Sequence, residues 1–452
     1  MPRFRGKRAL LFLMGFFSSV YLMSNLSLFT QVSFQSRMRR EILAKTKHHI
    51  DKLVTLTPLQ CYAAHVQYHS TEFKCDKLFK QDVRETTRSR EYLERNNFKF
   101  PAFPESVFIK VTKDCGAFKK VLGYKRQYSN IEIEFPLAFS ILTHDGIEAL
   151  ERLLRVIYAP QNFYCIHVDR KASPLFFDAV QTLTDCFPNV FIASRLEDLI
   201  YAHFSRLRAD LNCMEELLIK DRKWKYLLNF ASTEIPLKTN LEIVNFLKKC
   251  NGSNDIREVY RRRRLERFVF RYSVSEGTLV KTDQHLPPPP HNLTITKGLA
   301  YGAFSRHFLE FALTNQIARD FLLWTMDTHS PDEHYWATLN NLYHNPFLHS
   351  PGGFTEHPDK KRFISRFVIW NGKEQRYTCH GRYRHNICVF GLGDLPSLKV
   401  ARKLVANKFD LQYDPVTYAC VEEIVRNRTV SGLVLLNHIH YICYIISSNC
   451  SL

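Results

Sequence analysis

The chain lacks several features that would have fixed its chemistry early. No Asp-x-Asp triplet occurs anywhere in its 452 residues, so the carboxylate pair that commonly holds a divalent cation on a diphosphate is missing. If a diphosphate leaves during a reaction here, basic side chains have to offset its charge in place of a metal. No Gly-rich phosphate loop occurs either, the short run Gly391-Leu392-Gly393-Asp394 being weak evidence on its own. The twelve cysteines contain no C-x-x-C pair and no zinc spacing, which argues against a zinc module and suits disulfides in an oxidising compartment. A fourth absence concerns the N-terminus. The apolar run there is followed by no convincing small-x-small cleavage site, and it is long for the core of a signal peptide.

That run is the most readable stretch. Arg3, Arg5, Lys7 and Arg8 precede Ala9–Phe29, which carries no charge. At about 1.5 Å per residue a helix of this length spans a hydrocarbon core of roughly 30 Å. Basic residues before the span place the N-terminus in the cytosol. The expectation is a cytoplasmic tail at 1–8, a signal-anchor helix at 9–29 and everything after it in the lumen of the secretory pathway. Five acceptor triplets for N-glycosylation agree weakly with this. Asn251, Asn292 and Asn427 are the candidates for use; Asn25 sits in or beside the membrane, and Asn449 is near the C-terminus.

The formal charge is +19, from 63 basic and 44 acidic residues. A lumenal protein rarely meets nucleic acid, so polyanionic small molecules such as nucleotide sugars, or anionic membrane and glycan surfaces, are the expected partners. The densest basic patch is Arg261–Arg264, which also reads as a solvated face.

Residues 30–120 are polar with short helical patterns and read as a stem, and 121–430 as one folded domain. Apolar runs predict strands at Leu137–Thr143, Phe163–Val168, Val190–Ala193 and Tyr226–Phe230. Helical spacing predicts helices through Ile147, Leu150, Leu153, Leu154 and Ile157, and through Leu207, Leu211 and Leu217. Alternating strands and helices give an α/β fold with a mainly parallel sheet covered on both faces. Ligands in such sheets bind beyond the carboxyl ends of the strands. Pro287–Pro290 marks an exposed loop. The segment 431–452 is apolar but carries Asn437, His438 and His440, and reads either as a packed terminal segment or as an interfacial helix.

Three places could carry chemistry. Ser330-Pro331-Asp332-Glu333 has the form of a capping box opening a helix over His334–Leu339, which makes Glu333 a capping carboxylate; its functional reading is a general base. His167 and Asp169 end a predicted strand, where they are polar terminus residues or ligand contacts, though two scattered ligands make no metal site. Lys408 is a surface lysine or a partner for a leaving diphosphate.

The same segments resemble the core 2/I-branching β-1,6-N-acetylglucosaminyltransferase family from about Cys61 to Arg428. The resemblance is carried by PLAFSILTHDGIEALERLLRVIYAPQNFYCIHVDRKA, IPLKTNLEIV, DTHSPDEHYWATL, and ICVFGLGDL followed by LVANKFD. It implies a GT-A-like nucleotide-sugar-binding fold in the Golgi membrane, a UDP-N-acetylglucosamine donor, a glycoprotein glycan acceptor, inversion by single displacement and no metal or other cofactor. By position, Glu333 matches the general base and Lys408 a basic residue on the diphosphate. Leu142, Thr143, His144, Asp169, Arg170, Lys171 and Tyr201 match the donor pocket. Arg264 and Arg267 match the acceptor side, with Trp370 a nearby aromatic. The implied disulfides are Cys61–Cys420, Cys115–Cys186, Cys165–Cys213 and Cys379–Cys388, leaving Cys75, Cys250, Cys443 and Cys450 over. Three positions depart. The second phosphate-binding arginine falls on His385, with Arg384 adjacent. An acceptor glutamate falls on or near Ile256, with Glu258 two residues on. An acceptor tyrosine falls on Gly372. A catalytically silent glycan-binding or regulatory protein that keeps the fold is the rival expectation.

Overall fold

The computed structural model describes residues 57–124, 128–261, 263–342, 350–353, 358–360, 362–372 and 377–431. The expected cytoplasmic tail, anchor helix and apolar C-terminal tail lie outside the described residues, as do Cys443 and Cys450. Among the described residues no helix is long and apolar enough to cross a membrane. Contacts divide the chain into Met1–Cys61 and Tyr62–Leu452. Of the first unit, residues 57–61 are described, where the helix Pro58–Glu72 begins. The sheets and the two apolar clusters set out below, among the described residues, belong to the second unit.

Thirteen strands are described: β1 (Leu137–Thr143), β2 (Phe163–Val168), β3 (Val190–Ile192), β4 (Tyr226–Ala231), β5 (Glu234–Pro236), β6 (Asp255–Ile256), β7 (Phe270–Ser275), β8 (Thr278–His285), β9 (Gly302–Ser305), β10 (Arg366–Phe367), β11 (Arg382–Arg384), β12 (Ile387–Val389) and β13 (Val405–Asn407). Six form the main sheet, in the order β3-β2-β1-β4-β9-β6. β3, β2, β1 and β4 run parallel, and only β9 opposes its neighbours. Every residue of β1 is buried, as a central parallel strand covered on both faces requires. This is the mixed α/β architecture, with its mostly parallel sheet, that the alternating pattern predicts.

Two apolar cores flank the sheet region. One joins the helix Phe204–Lys220, through Leu207, Leu211 and Met214, to Trp224, Phe304 and Trp336. The other joins Phe73, Leu93, Ile235, Phe367 and Phe390 to Val416 and Cys420. The residues read as stem contribute to this packing. Tyr62, Phe108 and Phe118 are wholly buried, and the helix Val83–Arg95 buries Glu85, Ser89 and Leu93. Those three lie at i, i+4 and i+8, one helical stripe, but two of them are polar, so the stripe did not register as an apolar face.

Three disulfides join the pairs implied by the resemblance: Cys115–Cys186, Cys165–Cys213 and Cys379–Cys388. The fourth differs. Cys420 is bonded to Cys75, and Cys61 is free. Cys75 is buried within the same apolar cluster as Cys420, their Cα atoms 5.1 Å apart, which is the separation a disulfide needs. Cys250 is buried.

Candidate active site at the carboxyl edge of the sheet

Strand direction decides which loops meet. β1, β2 and β4 end at Thr143, Val168 and Ala231 on one edge. β9 runs the other way, so it begins at that edge, and β6, antiparallel to β9, ends there at Ile256. The loops after β1, β2, β4 and β6, with the segment before β9, therefore share the edge where open α/β sheets bind ligands.

Leu142 and Thr143 are buried at the end of β1, and Thr143 Oγ1 lies 3.1 Å from Ser232 Oγ, beyond β4. His144 is exposed. After β2, Asp169 Oδ1 accepts from the amides of Lys171 at 3.0 Å and Leu199 at 3.3 Å. Arg170 pairs with Asp198 at 2.5 Å, and Lys171 Nζ donates to the Leu199 carbonyl at 2.6 Å. His167 Nε2 accepts from the Glu197 amide at 2.9 Å, and burial pushes its pKa down. His167 and Asp169 thus tie Glu197 and Leu199 to the end of β2. Among the described residues one group, Cys379, Cys388 and Asp394, has metal-ligand composition, and its two sulfurs are bonded to each other.

Glu333 is not the capping residue its motif suggests. Ser330 takes a left-handed backbone, φ 51°, and its side chain caps nothing, lying instead 2.9 Å from His329 Nδ1. The helix begins only at Tyr335, after a 3₁₀ turn over Pro331–Glu333. Three backbone ties fix this turn. The Ser330 amide donates to the Ala202 carbonyl at 2.7 Å, the His329 amide to the Arg267 carbonyl at 2.8 Å, and the Gly298 amide to the Glu333 carbonyl. A Cβ at Gly298 would sit 2.5 Å from the Arg257 carbonyl oxygen and 2.9 Å from Ala337 Cβ, so only glycine fits there.

The Glu333 carboxylate is thereby left for interactions across the loops. Arg267 Nη1 donates to Oε2, and Lys297 Nζ lies 3.6 Å from the same oxygen. Oε1 receives no hydrogen bond among the described residues, and the side chain is 22% exposed. Burial pushes the Lys297 pKa down, and Arg267, Arg257 and Arg264 push the same way against Glu333. Next to Glu333, Asp332 is buried and pushed up to about 6 despite the opposing charge of Arg206.

The remaining predicted donor-side residues come together on the hairpin β11–β12. Its two-residue turn, His385-Asn386, has φ of 52° and 61°, the geometry of a type I′ turn. Arg384 flanks that turn. Burial lowers the Lys408 pKa, and the positive charge of Arg384 lowers it further. Neither makes an ion pair among the described residues. The His385 ring lies 4.9 Å from the ring of Tyr201, which joins two predicted donor residues from distant parts of the chain. Trp370 bridges to Ile387 at the start of β12. Lys408 itself is placed from below: Phe409 N donates to the Thr233 carbonyl, just past β4, at 2.8 Å.

Of the residues expected on the acceptor side, Arg267 reaches Glu333, while Arg264 is exposed. Ile256 is wholly buried in β6, and Glu258, also buried, turns its carboxylate to Asn340. A Cβ at Gly372 would meet nothing within 4 Å. Asn251, Asn292 and Asn427 are all exposed. Arg257 and Lys297 went unnoticed in the sequence because neither sits in a motif; only the sheet order brings them to Glu333. A cavity of about 530 Å³ lined by Phe135, Trp224, Tyr226 and Ser305 lies at the amino ends of β1 and β4, away from this chemistry.

An open, mostly parallel sheet with charged residues gathered at its carboxyl edge defines an α/β protein built to bind a ligand there. The sequence profile of the Core-2/I-branching enzyme family matches residues 137–399, and the chain belongs to that family. It is 41% identical over 347 residues to beta-1,3-galactosyl-O-glycosyl-glycoprotein beta-1,6-N-acetylglucosaminyltransferase 3 of Rattus norvegicus, covering 74% of this chain and 78% of that one. The human protein of the same name is 40% identical over 346 residues, again 74% and 78%. A Bovine herpesvirus 4 (strain LVR140) beta-1,3-galactosyl-O-glycosyl-glycoprotein beta-1,6-N-acetylglucosaminyltransferase is 40% identical over 350 residues, 75% and 78%.

Proposed function

We propose that this protein transfers N-acetylglucosamine from UDP-N-acetylglucosamine to a 6-hydroxyl of a galactose- or N-acetylgalactosamine-containing glycan on glycoproteins, inverting the anomeric centre and using no metal. The observation that carries the reading is the Glu333 carboxylate at the carboxyl edge of the sheet, with Oε2 engaged by Arg267 and Lys297 and Oε1 left for an incoming hydroxyl. As the acceptor oxygen attacks the anomeric carbon, its proton passes to Oε1. A carbon–oxygen bond to the acceptor forms while the bond from that carbon to the β-phosphate oxygen breaks. The electron pair leaves with UDP, whose charge Lys408 and Arg384 offset in place of a cation. Leu142, Thr143, His144, Asp169, Arg170, Lys171 and Tyr201 line the donor side, and the β-1,6 transfer named for the relatives supports the reaction class.

Glu333→Gln keeps the size of the side chain and removes the base, so transfer of radiolabelled sugar should fall by at least about 10²-fold. A near-normal rate would return Glu333 to a structural role. Activity abolished by EDTA and restored by manganese would overturn the metal-free donor site. The rival, a silent glycan-binding protein, draws support from the burial of Ile256 and the tie of Glu258 to Asn340. UDP binding without product on any member of a broad acceptor panel would favour it.

We place the protein in the Golgi membrane with its N-terminus in the cytosol, resting on the uncharged run Ala9–Phe29 and the four disulfides. Protease added to intact microsomes should spare everything beyond residue 30; digestion of the large domain would reverse the orientation.

A further inference from the structure

The charge around Glu333 does not balance. Arg267 and Lys297 engage one of its oxygens, and the charge of Arg257 also acts on it. Arg264 acts in turn on Lys297 and on His329. Arg267, Lys297 and Arg257 thus act on one carboxylate, and Arg264 adds its charge through Lys297. The other acids nearby are already committed. Glu258 turns to Asn340, Asp327 pairs with Arg271, and Asp359 accepts from the amides of Tyr260 and Arg261. Asp332 is buried facing Arg206, Asp210 holds Arg206 at 2.6 Å, and Glu266 is exposed beside Tyr272. Among the described residues no carboxylate forms an ion pair with Arg257 or Arg264.

We propose that the acceptor glycan carries an anionic group, a carboxylate or a sulfate ester, bound by Arg257, Arg264 and Lys297 beside Glu333; this rests on the transferase reading and narrows its substrate class. The diphosphate of the donor does not account for these cations, because it has Lys408 and Arg384 on the β11–β13 side. The three side chains are donors only and permanently charged or nearly so, whereas neutral sugar hydroxyls are ordinarily met by amides and carboxylates that can accept as well as donate. Arginine forks match carboxylate and sulfate oxygens in pairs. Exposure fits the same occupant. Arg257 and Arg264 are exposed and Lys297 is partly covered, so all three are open to an incoming acidic group. The Lys297 backbone is held by paired hydrogen bonds to Val259, 2.7 and 2.9 Å, which fix the root of the side chain two residues from Arg257 across the bridge. Burial and its three arginine neighbours disfavour its charged form, and an anion seated there reverses that penalty.

The test uses the full-length chain with three matched acceptors having a free 6-hydroxyl: a neutral disaccharide, the same disaccharide sialylated, and the same disaccharide sulfated away from that hydroxyl. The KM for at least one acidic acceptor should lie at least about fivefold below that of the neutral one, the scale of one charge-assisted contact. The preference should vanish near about 1 M salt, where screening acts over ~3 Å. The sialylated and sulfated arms identify which acid is read. Arg257→Gln and Arg264→Gln should each raise the KM for the acidic acceptor while UDP affinity stays constant, which a folding defect would not do; Arg257→Lys should restore part of the loss. Equal KM for neutral and acidic acceptors overturns the inference and leaves the transferase reading intact. If no acceptor gives product, saturation-transfer NMR with the same three glycans decides. Salt-sensitive binding of the acidic ones alone keeps the anion site and removes the transferase reading, and equal or absent binding overturns the site.

Discussion

Two charged clusters in this protein are built on opposite plans. In one, Arg152 and Arg155 on the helix Ile147–Ile157 meet Glu148, Glu151 and Glu422, with Arg152–Glu422 at 2.6 Å and Arg155–Glu422 at 2.8 Å. Tyr62 donates to Glu151 at 2.7 Å, His65 lies 2.9 Å from Glu148, and the Arg152 guanidinium stacks on Tyr418. Every charge on these two arginines is matched and buried. Around Glu333 the charges are unmatched and partly open to water. Burying ions costs several kcal/mol each unless partners repay it, so a closed cluster is a statement about folding. A surplus of one sign left at a cleft is a statement about what comes to it.

The largest effect should come from breaking the closed cluster. Glu422→Ala leaves Arg152 with Glu148 and Arg155 with Glu151 but takes away the carboxylate they share, and should cost about 3–5 kcal/mol in denaturant unfolding, if the chain folds at all. Lys297→Ala, on the open cluster, should cost less than about 1 kcal/mol. Equal losses would erase the distinction. Next in size, Cys75→Ser should remove about 2–4 kcal/mol by opening the long loop closed at Cys420, and Cys61→Ser should cost nothing measurable. A Cys61 effect as large as that of Cys75 would reinstate the pairing implied by the resemblance. Lys408→Ala and Arg384→Ala should each weaken UDP binding by about tenfold, read by calorimetry. If His385→Ala matches that loss and Arg384→Ala does not, the phosphate contact belongs to His385.

The smallest effect is on pH. Burial holds His334 down at about 3 and His69 at about 4, both far below the unfolded value near 6.5. The unfolded chain therefore takes up protons first as pH falls below 6.5, and stability is lost from there toward 4. Burial raises Asp332 and Asp414 to about 6, so between pH 4 and 6 they lose stability as pH rises and partly cancel the histidines. His334→Asn should leave a melting temperature that climbs as pH falls from 6 to 4; an unchanged profile would mean His334 does not titrate in the unfolded reference as supposed.

Legibility in the sequence tracks how local each signal is. The strands β1, β2 and β4 announced themselves because a central parallel strand must be apolar throughout. Glu333 stands out in the sequence, but the capping box is read from the order Ser-Pro-Asp-Glu, and the left-handed Ser330 that defeats it depends on Ala202, far away in the chain. Cys75 was passed over because pairing is set by burial beside Cys420. Arg257 and Lys297 carry no local signature at all; their meeting is a product of strand order.

The hydrogen bond from the Ser330 amide to the Ala202 carbonyl is a clasp between the loop that bears Tyr201 and the turn that bears Glu333. Ser330 is buried, so parting the two would strand that amide away from water at a cost of about 1–3 kcal/mol. The loop that bears Tyr201 and the turn that bears Glu333 therefore travel as one link, and a displacement imposed on either is delivered to the other.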